Sequence, residues 1–358
     1  MVGDVPKYHE TLQSGKKMII RSKAPLRIGL AGGGSDVSPY SDIYGGAILN
    51  ATIDLYAYAS LEPTGDNKIV FESVDKGLTL TFDSQKVLPI HDELPLHAGI
   101  YNRVVRDFNC KPLSFKLITH VDAPPGSGLG SSSTLVATIL GAFVEWLKLP
   151  LGENDIARLA YEIEREDLGL SGGKQDQYSA TFGGINFMEF LADDVVIVNP
   201  LRLNSSLISE LAYSTVLYFT GASRLSDNII DEQKRSVTEN QVARIEAMHK
   251  IKEQAYLMKE ALLKEDLNEI GPILDFGWQN KRQMANGITN PLIDEIYHAA
   301  LSAGSTGGKV SGAGGGGFMF FYCPQNTRHL VIEALKKFGG EVRAFNFSSK
   351  GLTSWQAK

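Results

Sequence analysis

Glycine and serine residues are concentrated just before an apolar helical pattern in the stretch "APPGSGLGSSSTLVATILGAF", residues 123–143. Glycine at this density weakens a helix or strand, so a chain uses it where the backbone needs unusual dihedral angles or approaches a ligand closely. The apolar run from about Ser132 to Leu147 predicts a helix that begins directly after the glycines. The free N–H groups and positive dipole end of that helix would converge on one point, a geometry that suits phosphate.

Three common phosphate-binding classes do not fit this stretch. A Walker A loop needs a lysine before its last Ser/Thr, and only serine stands there. The protein-kinase set needs "HRD" together with "DFG", and no "HRD" occurs in the sequence. The segment "GGGSDV", with Asp54 about 20 residues further on, half matches a dinucleotide-binding fingerprint, but the third glycine is missing and the chain returns to a strand pattern too soon.

The order of predicted elements indicates an α+β fold of two domains. Strand patterns dominate early, and helices are expected at about residues 98–109, 132–147, 153–167 and 173–182. Long helical patterns follow from Asp227 to Met284, with an interruption expected near Gly271 and Pro272, and another helix is expected at 291–303. We predict an N-terminal tail or extension at 1–17, one domain at 18–205 and a second at 206–358.

Bulk properties limit the possible partners. Among 358 residues, 41 acidic side chains outnumber 35 basic ones, which argues against a general nucleic-acid or anionic-membrane binder. No apolar run reaches the roughly 18 residues of a membrane span, and the N-terminal segment lacks the apolar core of a signal peptide. Cys110 and Cys323 lack metal-type spacing and fit reduced thiols, so a cytoplasmic protein is expected. The oligomeric state is not readable from the sequence.

Three glycine-rich stretches occur in a fixed order: "APLRIGLAGGGSD" (24–36), "PPGSGLGSSST" (124–134) and "KVSGAGGGG" (309–317). Their order and spacing resemble the three signature motifs of the GHMP kinases, the superfamily of galactokinase, homoserine kinase, mevalonate kinase and phosphomevalonate kinase. The departures are small, with Thr134 where alanine is usual and Ser311 where threonine is common.

The resemblance implies an N-terminal α/β domain with a left-handed crossover, a ferredoxin-like C-terminal domain, and ATP phosphates held by the second motif. Ser132 and Glu164 would bind Mg²⁺, Glu164 lying twelve residues before Asp176. For Ser132 the alternative is a helix cap, and for Glu164 it is a solvated helix face shared with nearby acidic residues. The residues placed on the ATP phosphates are Pro125, Gly126, Ser127, Gly128, Leu129, Gly130, Ser131, Ser132 and Ser133.

The same resemblance makes Asp176 the group that accepts or orients the proton of the substrate hydroxyl. Arg27 matches the arginine of the first motif and is expected near the transferring group, whereas Lys174 is placed there only by its nearness to Asp176. Thr220, Gly221 and Arg224 follow a strand and are further candidates for substrate contact. The expected substrate-binding residues are Arg27, Gly33, Gly34, Ser35, Asp36, Asp176, Gly312, Ala313, Gly314 and Gly315. The third motif could equally serve close packing of the domains.

The first motif carries information on the acceptor. Gly33 and Gly34 stand where galactokinase has Glu and His, which opens space and removes negative charge, while Asp36 is retained. Together with "GKQDQYSATFGG", this looks most like the D-glycero-D-manno-heptose 7-phosphate kinases, which phosphorylate the anomeric C1 hydroxyl. Two alternatives stay open at this point: a fucokinase-like or other sugar 1-kinase, and a non-catalytic sensor of sugar and ATP.

Overall fold

The structure, a computed structural model, describes residues 18–221 and 227–357. The predicted tail at 1–17 and the candidate Arg224 lie outside these residues. Two β-sheets with their helices form two halves that share one apolar core, in which Leu26 packs with Leu217, Ala255 and Phe318. The glycine-rich stretches meet in the groove between the halves.

The N-terminal sheet has eight strands and is almost entirely antiparallel. Its main path runs β12-β1-β2-β5-β3-β4, with β6 on the other end of β2 and β7 on β6; β3 and β5 are parallel. β2 is long enough to pair with both β5 and β6. The strands are β1 (Ile19–Ala31), β2 (Gly46–Pro63), β3 (Lys68–Ser73), β4 (Leu78–Asp83), β5 (Phe115–Val121), β6 (Ile185–Phe190), β7 (Val196–Pro200) and β12 (Thr353–Ala357).

One nearly all-apolar helix lies at the centre of this half. Residues 136–143 of α3 are all buried, as expected for a helix that is apolar on every side. The next helix, α4, continues as one π-helical turn, Ile163–Asp167, a feature that often marks functional positions. The helices of this half are α1 (Tyr40–Tyr44), α2 (Pro95–Asp107), α3 (Ser131–Leu147), α4 (Glu153–Glu162) and α5 (Gln175–Phe182).

The second half has a four-stranded antiparallel sheet in the order β11-β8-β10-β9. The first strand of this sheet lies between the third and the fourth, which is the ferredoxin-like arrangement that was predicted. Its strands are β8 (Thr215–Phe219), β9 (Gly307–Val310), β10 (Phe318–Tyr322) and β11 (Glu341–Arg343). The helices are α6 (Ser205–Tyr213), α7 (Asp227–Thr238), α8 (Val242–Leu263), α9 (Ile270–Lys281), α10 (Pro291–Ser302) and α11 (Arg328–Leu335). The α+β class is confirmed, and the handedness of the crossover stays a prediction.

The expected helix interruption near Gly271 and Pro272 is confirmed, but it lies a few residues earlier, at 264–269, and a second break occurs at 239–241. Gly271 and Pro272 themselves lie in the first turn of α9. Proline is tolerated in a first turn because its missing N–H would have no partner inside the helix.

The end of the chain returns to the first sheet. β12 pairs with β1 in register from Ile19–Ala357 to Lys23–Thr353. The last segment therefore belongs by its hydrogen bonds to the N-terminal half, which a simple division at residue 205 does not anticipate. Within the described residues, no helix has the length and apolar character needed to cross a membrane. Cys110 is half-buried, Cys323 is buried, and both are free thiols.

Candidate active site

A cavity of about 320 Å³ lies between the two halves, and we call it the main cavity. Residues of all three glycine-rich stretches line it, together with the π-helical turn and the start of α5. The fold therefore brings the three motifs together at one site, as predicted.

We call the loop at residues 124–130 together with the first turn of α3 the phosphate loop. Its glycines are required for two separate reasons. Gly126, Gly128 and Gly130 have φ values of 71°, 84° and 76°, a region that other residues rarely adopt. A Cβ at Gly128 would also lie 2.3 Å from the Ser311 carbonyl oxygen, and one at Gly130 would lie 3.1 Å from Asp176 Cγ. Glycine thus lets the second motif touch the third motif and the candidate base.

Not every residue of the phosphate loop faces the main cavity. The glycines at 126, 128 and 130 and the serines at 131–133 line it. Ser127 and Leu129 are fully buried; the Ser127 carbonyl accepts from Phe318 N and the Leu129 carbonyl accepts from Arg27 N. Their side chains and carbonyls therefore take part in packing, and a contact of their backbone N–H groups with the ATP phosphates stays a prediction. Pro125 lines the neighbouring cavity described below.

Arg27 and Asp176 form a bidentate pair at the centre of the main cavity. Arg27 Nε donates to Asp176 Oδ1 at 2.6 Å and Nη2 donates to Oδ2 at 2.8 Å. Arg27 Nη1 also donates to the Gly128 carbonyl at 2.6 Å. The guanidinium plane therefore fixes the carboxylate against the phosphate loop, a geometry that lysine could not supply.

Ser132 and Glu164 come together as the resemblance implies. Ser132 Oγ donates to Glu164 Oε1 at 2.9 Å, and Gln177 Nε2 donates to Glu164 Oε2 at 2.7 Å. Glu164 is only 1% exposed, so a solvated helix face is excluded for it. Gly130, not Ser132, is the N-cap of α3, and no side chain caps it, so the cap alternative for Ser132 is excluded as well.

The acidic neighbours of Glu164 form ion pairs on the protein surface. Arg103 pairs with Glu162, Asp167 and Asp107 on the outer side of α2, which explains why so many carboxylates occur in this segment. The π-helical turn directs Glu164 to the inside while Glu162 and Asp167 stay outside.

The Ser132–Glu164 pair fits Mg²⁺ by its chemistry. It offers one hydroxyl and one carboxylate oxygen at a helix N-terminus, and Mg²⁺ prefers oxygen ligands and commonly uses few from the protein when it also binds phosphates. In the part of the chain that the structure describes, no group of three or more His, Cys, Asp or Glu side chains could hold a metal by itself. A metal here would depend on ligand oxygens in addition to the protein's two.

In the first motif, Asp36 is tied to the start of α5. Its Oδ2 accepts from Gln175 N at 3.0 Å and its Oδ1 from Gly34 N at 3.3 Å. Burial raises the pKa of Asp36, the Asp176 charge adds to this, and the backbone hydrogen bonds oppose it. Asp36 lines the main cavity, but Ser35 does not, because its Oγ bonds to the backbone of Gly32 and Ala47. The expected substrate contact of Ser35 is corrected accordingly.

Lys174 is not a cation of the main cavity. Its Nζ donates to Asp194 Oδ1 at 2.6 Å and lies 3.6 Å from Asp42 Oδ1, beside the ring of Tyr161. Burial is the largest single effect and works against the ammonium form, but the bond to Asp194 and the charges of Tyr161, Asp194 and Asp42 together raise the pKa of Lys174. Lys174 is absent from the lining of the main cavity, although it is close to Asp176 in sequence. The catalytic role expected for Lys174 therefore stays a prediction, which this geometry does not support.

Two other lysines occupy the main cavity, and sequence reasoning missed both. Lys281 ends α9 and Lys309 lies on β9, and they are 3% and 4% exposed. Lys281 Nζ donates to the Gly312 carbonyl. Lys309 is the first residue of the quoted third motif, and that position was the only signal that could have pointed to it.

The third motif serves both of the uses considered for it. Gly312, Ala313 and Gly314 line the main cavity. A Cβ at Gly312 would lie 2.7 Å from Gly128 Cα, so glycine also allows the domains to touch. Gly315 is corrected to a packing role, since it is outside the cavity lining and its N–H donates to the Ile288 carbonyl.

Thr220 and Gly221 follow β8 and are absent from the lining of the main cavity. Thr220 Oγ1 donates to the Gly317 carbonyl at 3.0 Å, next to the third motif. Their contact with substrate stays a prediction, and Arg224 is outside the described residues.

A second cavity of about 200 Å³ adjoins the phosphate loop, and we call it the side cavity. Gly126, Ser131 and Ser132 line both cavities, and the rest of the side cavity is mainly apolar. His97 lines it with Nε2 bonded to Thr119 Oγ1 at 3.0 Å and Nδ1 without a partner. Burial, with a smaller effect of Lys76, lowers the pKa of His97 to about 4, so its ring is neutral at pH 7.

Comparisons with known proteins agree with this geometry. The family model for the GHMP kinases N terminal domain matches residues 93–184, and the model for the GHMP kinases C terminal matches residues 258–341. The chain belongs to the GHMP kinase family, and the predicted family and fold are confirmed.

Individual relatives extend the match to nearly the whole chain. The D-glycero-alpha-D-manno-heptose 7-phosphate kinase of Campylobacter jejuni is 48% identical over 337 residues, which is 94% of this chain and 99% of the relative. A crystal structure described as a D-glycero-D-manno-heptose 1-phosphate kinase from Bacteriodes thetaiotaomicron is 49% identical with a TM-score of 0.81, covering 95% and 99% of the two chains. Lactococcus lactis galactokinase complexed with galactose has a TM-score of 0.77 at 18% identity over 94% and 95% of the two chains, a likeness of fold alone.

Proposed function

We propose that this GHMP kinase is an ATP-dependent heptose phosphate kinase. It transfers the γ-phosphoryl group to the C1 hydroxyl of D-glycero-D-manno-heptose 7-phosphate and releases ADP and the 1,7-bisphosphate. The observation that carries the proposal is the placement of the Asp176 carboxylate next to Gly130 of the phosphate loop, held there by Arg27. An acceptor hydroxyl on Asp176 would then lie beside a phosphate bound at the start of α3.

The two adjoining cavities suit the two parts of ATP. The β- and γ-phosphates would contact the N–H groups at the N-terminus of α3, where the helix dipole favours negative charge. The adenosine would occupy the side cavity, whose apolar lining and neutral His97 suit a heterocyclic base. The nucleobase site was not predicted from the sequence.

Ser132 Oγ and Glu164 Oε1 would hold Mg²⁺, with Gln177 orienting the carboxylate. When bound, the ion would neutralise phosphate charge as the phosphoryl group transfers. The protein's own contribution is to keep Glu164 buried and aimed at the phosphate loop, so that its charge is directed to the cavity and not to solvent.

Asp176 would accept the proton of the acceptor hydroxyl. The anomeric C1 hydroxyl is more acidic than an ordinary alcohol, so a carboxylate is a suitable base for it. Arg27 holds both carboxylate oxygens before substrate arrives, which fixes the direction in which Asp176 can accept the proton. Little covalent chemistry is needed from the protein, because phosphoryl transfer depends mainly on positioning and charge.

The acceptor assignment rests on the first motif and on the relatives. Gly33 and Gly34 leave space in the main cavity for an acceptor larger than galactose. The Campylobacter jejuni relative is named as a heptose 7-phosphate kinase, while the Bacteriodes thetaiotaomicron structure is described as a heptose 1-phosphate kinase. The experiment must therefore determine which hydroxyl of the sugar receives the phosphate. ATP-dependent sugar chemistry and two free thiols fit a cytoplasmic enzyme.

A screen of acceptors with Mg-ATP tests the proposal, with the product position assigned by phosphorus NMR. We expect conversion of heptose 7-phosphate and a new anomeric phosphate signal coupled to H1. Conversion of heptose 1-phosphate at C7, or better turnover of free fucose, would replace the proposed acceptor. Tight binding of sugar and ATP without any turnover would instead indicate a sensor.

A further inference from the structure

Two ammonium groups converge on one spot of the main cavity, on the side of the first motif. A Cβ atom built on Gly33 would lie 3.8 Å from Lys281 Nζ and 3.9 Å from Lys309 Nζ. The two side chains, which we call the lysine pair, come from α9 and β9 and meet only because those elements pack against each other. Both are almost completely buried.

The lysine pair has no carboxylate partner. Among residues 18–221 and 228–357, no Asp or Glu oxygen lies within ion-pairing distance of either Nζ. The two carboxylates of this region are engaged elsewhere, because Asp176 is bound by Arg27 and Asp36 by the backbone of Gln175. Among the described residues, the Gly312 carbonyl is the one hydrogen-bond acceptor of Lys281 Nζ.

Such a pair is unfavourable until an anion arrives, since a buried ammonium loses its hydration. Burial, followed by the charge of Arg27, lowers the pKa of Lys281 to about 8, with Asp36 opposing the shift. Burial, Lys281 and Arg27 together lower the pKa of Lys309 well below its ordinary value. The charged groups that face the pair from the surrounding elements are thus Arg27, Asp36 and the two lysines themselves.

The position of the pair indicates which anion it is for. Lys281 Nζ and Lys309 Nζ lie 3.8 and 3.9 Å from the position that a Cβ on Gly33 would take, and Gly33 belongs to the first motif. The proposed function assigns the acceptor to this motif, so the pair lies where the acceptor is expected. The phosphate loop and the Ser132–Glu164 pair already provide for the nucleotide.

We propose that Lys281 and Lys309 hold the phosphate ester of the acceptor and set the preference for a sugar phosphate over a free sugar. This inference rests on the proposed function and names the residues that it leaves unassigned. A phosphate monoester is close to a dianion at pH 8, so two ammonium groups match its charge. Burial lowers the pKa of both lysines, so binding of the dianionic ester would raise these pKa values again and draw protons from solvent.

Substitution of each lysine by methionine tests the proposal, because methionine keeps most of the length and loses the charge. For Lys309→Met and Lys281→Met we expect the ratio of kcat/KM for heptose 7-phosphate to kcat/KM for free heptose to fall at least about 100-fold. Lys259→Met is the matched control, since that half-buried ammonium lies over the rings of Phe187 and Tyr256 outside the cavity. An equal loss for both acceptors would assign the lysines to the transferring phosphoryl group and overturn the proposal.

Calorimetric binding without Mg-ATP gives a second readout. At pH 8, in two buffers of different ionisation enthalpy, the wild type should take up protons on binding heptose 7-phosphate, and Lys309→Met should bind at least about 100-fold more weakly with less uptake. The affinity for a non-hydrolysable ATP analogue should change less than about threefold, a check that also reports on folding. Unchanged sugar-phosphate affinity in both variants would overturn the inference alone, whereas a wild type that neither binds nor converts heptose 7-phosphate would overturn the proposed function.

Discussion

The two halves of the main cavity differ in whether their charged side chains have partners within the protein. In the N-terminal half the charged groups and the proposed metal ligands already have partners, Arg27 with Asp176 and Ser132 with Glu164. In the C-terminal half, Lys281 and Lys309 are buried side by side, and no carboxylate of the described residues pairs with them. The difference indicates that the catalytic groups are positioned before substrate binds, whereas the lysine pair becomes satisfied only by an anionic ligand.

This comparison separates two kinds of substitution. A change in the N-terminal half should break an existing contact and reduce the rate. A change in the lysine pair should remove a buried charge that has no partner. It should therefore weaken substrate binding and at the same time increase the stability of the ligand-free folded protein.

Asp176→Asn should have the largest effect. The amide keeps the shape but cannot take the hydroxyl proton, so we expect kcat to fall by about 10³-fold, within the range for loss of a general base. Steady-state kinetics gives kcat, and fluorescence titration with a non-hydrolysable ATP analogue should show that nucleotide binding persists. A kcat within tenfold of the wild type would mean that Asp176 is not the base.

Ser132→Ala should have a smaller and metal-dependent effect. Loss of the hydroxyl leaves Glu164 as the only protein oxygen in the proposed Mg²⁺ site, so the Mg²⁺ concentration for half-maximal rate should rise about tenfold. Ser127→Ala is the control in the same loop, because the Ser127 hydroxyl is buried, lies outside the lining of the main cavity and has no hydrogen-bond partner among the described residues. Equal Mg²⁺ dependence in the two variants would remove Ser132 from the metal site.

Lys281→Met should stabilise the ligand-free protein. Because folding lowers the pKa of Lys281 from 10.5 to about 8, the unfolded chain binds more protons between these pH values. The destabilisation by Lys281 is therefore complete below about pH 8 and disappears as the pH rises toward 10.5. We expect a Tm about 2 °C or more above the wild type at pH 7, by scanning calorimetry, with the gap closing toward pH 10.

A Tm of Lys281→Met below that of the wild type at pH 7 would contradict this view of the C-terminal half. Lys259→Met again serves as control, and its Tm difference should not depend on pH in the same way. The quantity to compare is the difference in Tm between variant and wild type at each pH, because other groups also titrate between pH 7 and pH 10.

Lys174→Met should have the smallest effect on the rate. The ammonium pairs with Asp194 and Asp42 outside the main cavity, so kcat should stay within about threefold of the wild type. A loss comparable to that of Asp176→Asn would restore the catalytic role that the sequence suggested for Lys174.

The sequence predicts those site residues that lie within a motif or at a fixed spacing from one. The phosphate loop, Arg27, Asp176 and Glu164 all lie in or near motifs whose spacing carries information, and the structure brings them together. Lys281 and Lys309 could not be found in this way. They are two of 35 basic residues, and only the packing of α9 against β9 brings their ammonium groups to Gly33.

The fold shows the same limit. Local patterns predicted most helices and strands, because periodicity acts over a few residues. The pairing of β12 with β1 joins the two ends of the described chain, and no local pattern specifies it. The start of α9 was misplaced because proline is compatible with a first helical turn as well as with a break.

The most direct test of the account is a crystal structure of the protein with Mg²⁺, a non-hydrolysable ATP analogue and heptose 7-phosphate. The account predicts the γ-phosphate at the start of α3, the C1 hydroxyl within hydrogen-bond distance of Asp176, and the sugar phosphate on Lys281 and Lys309. A γ-phosphate away from the phosphate loop, or a C1 hydroxyl remote from Asp176, would contradict it.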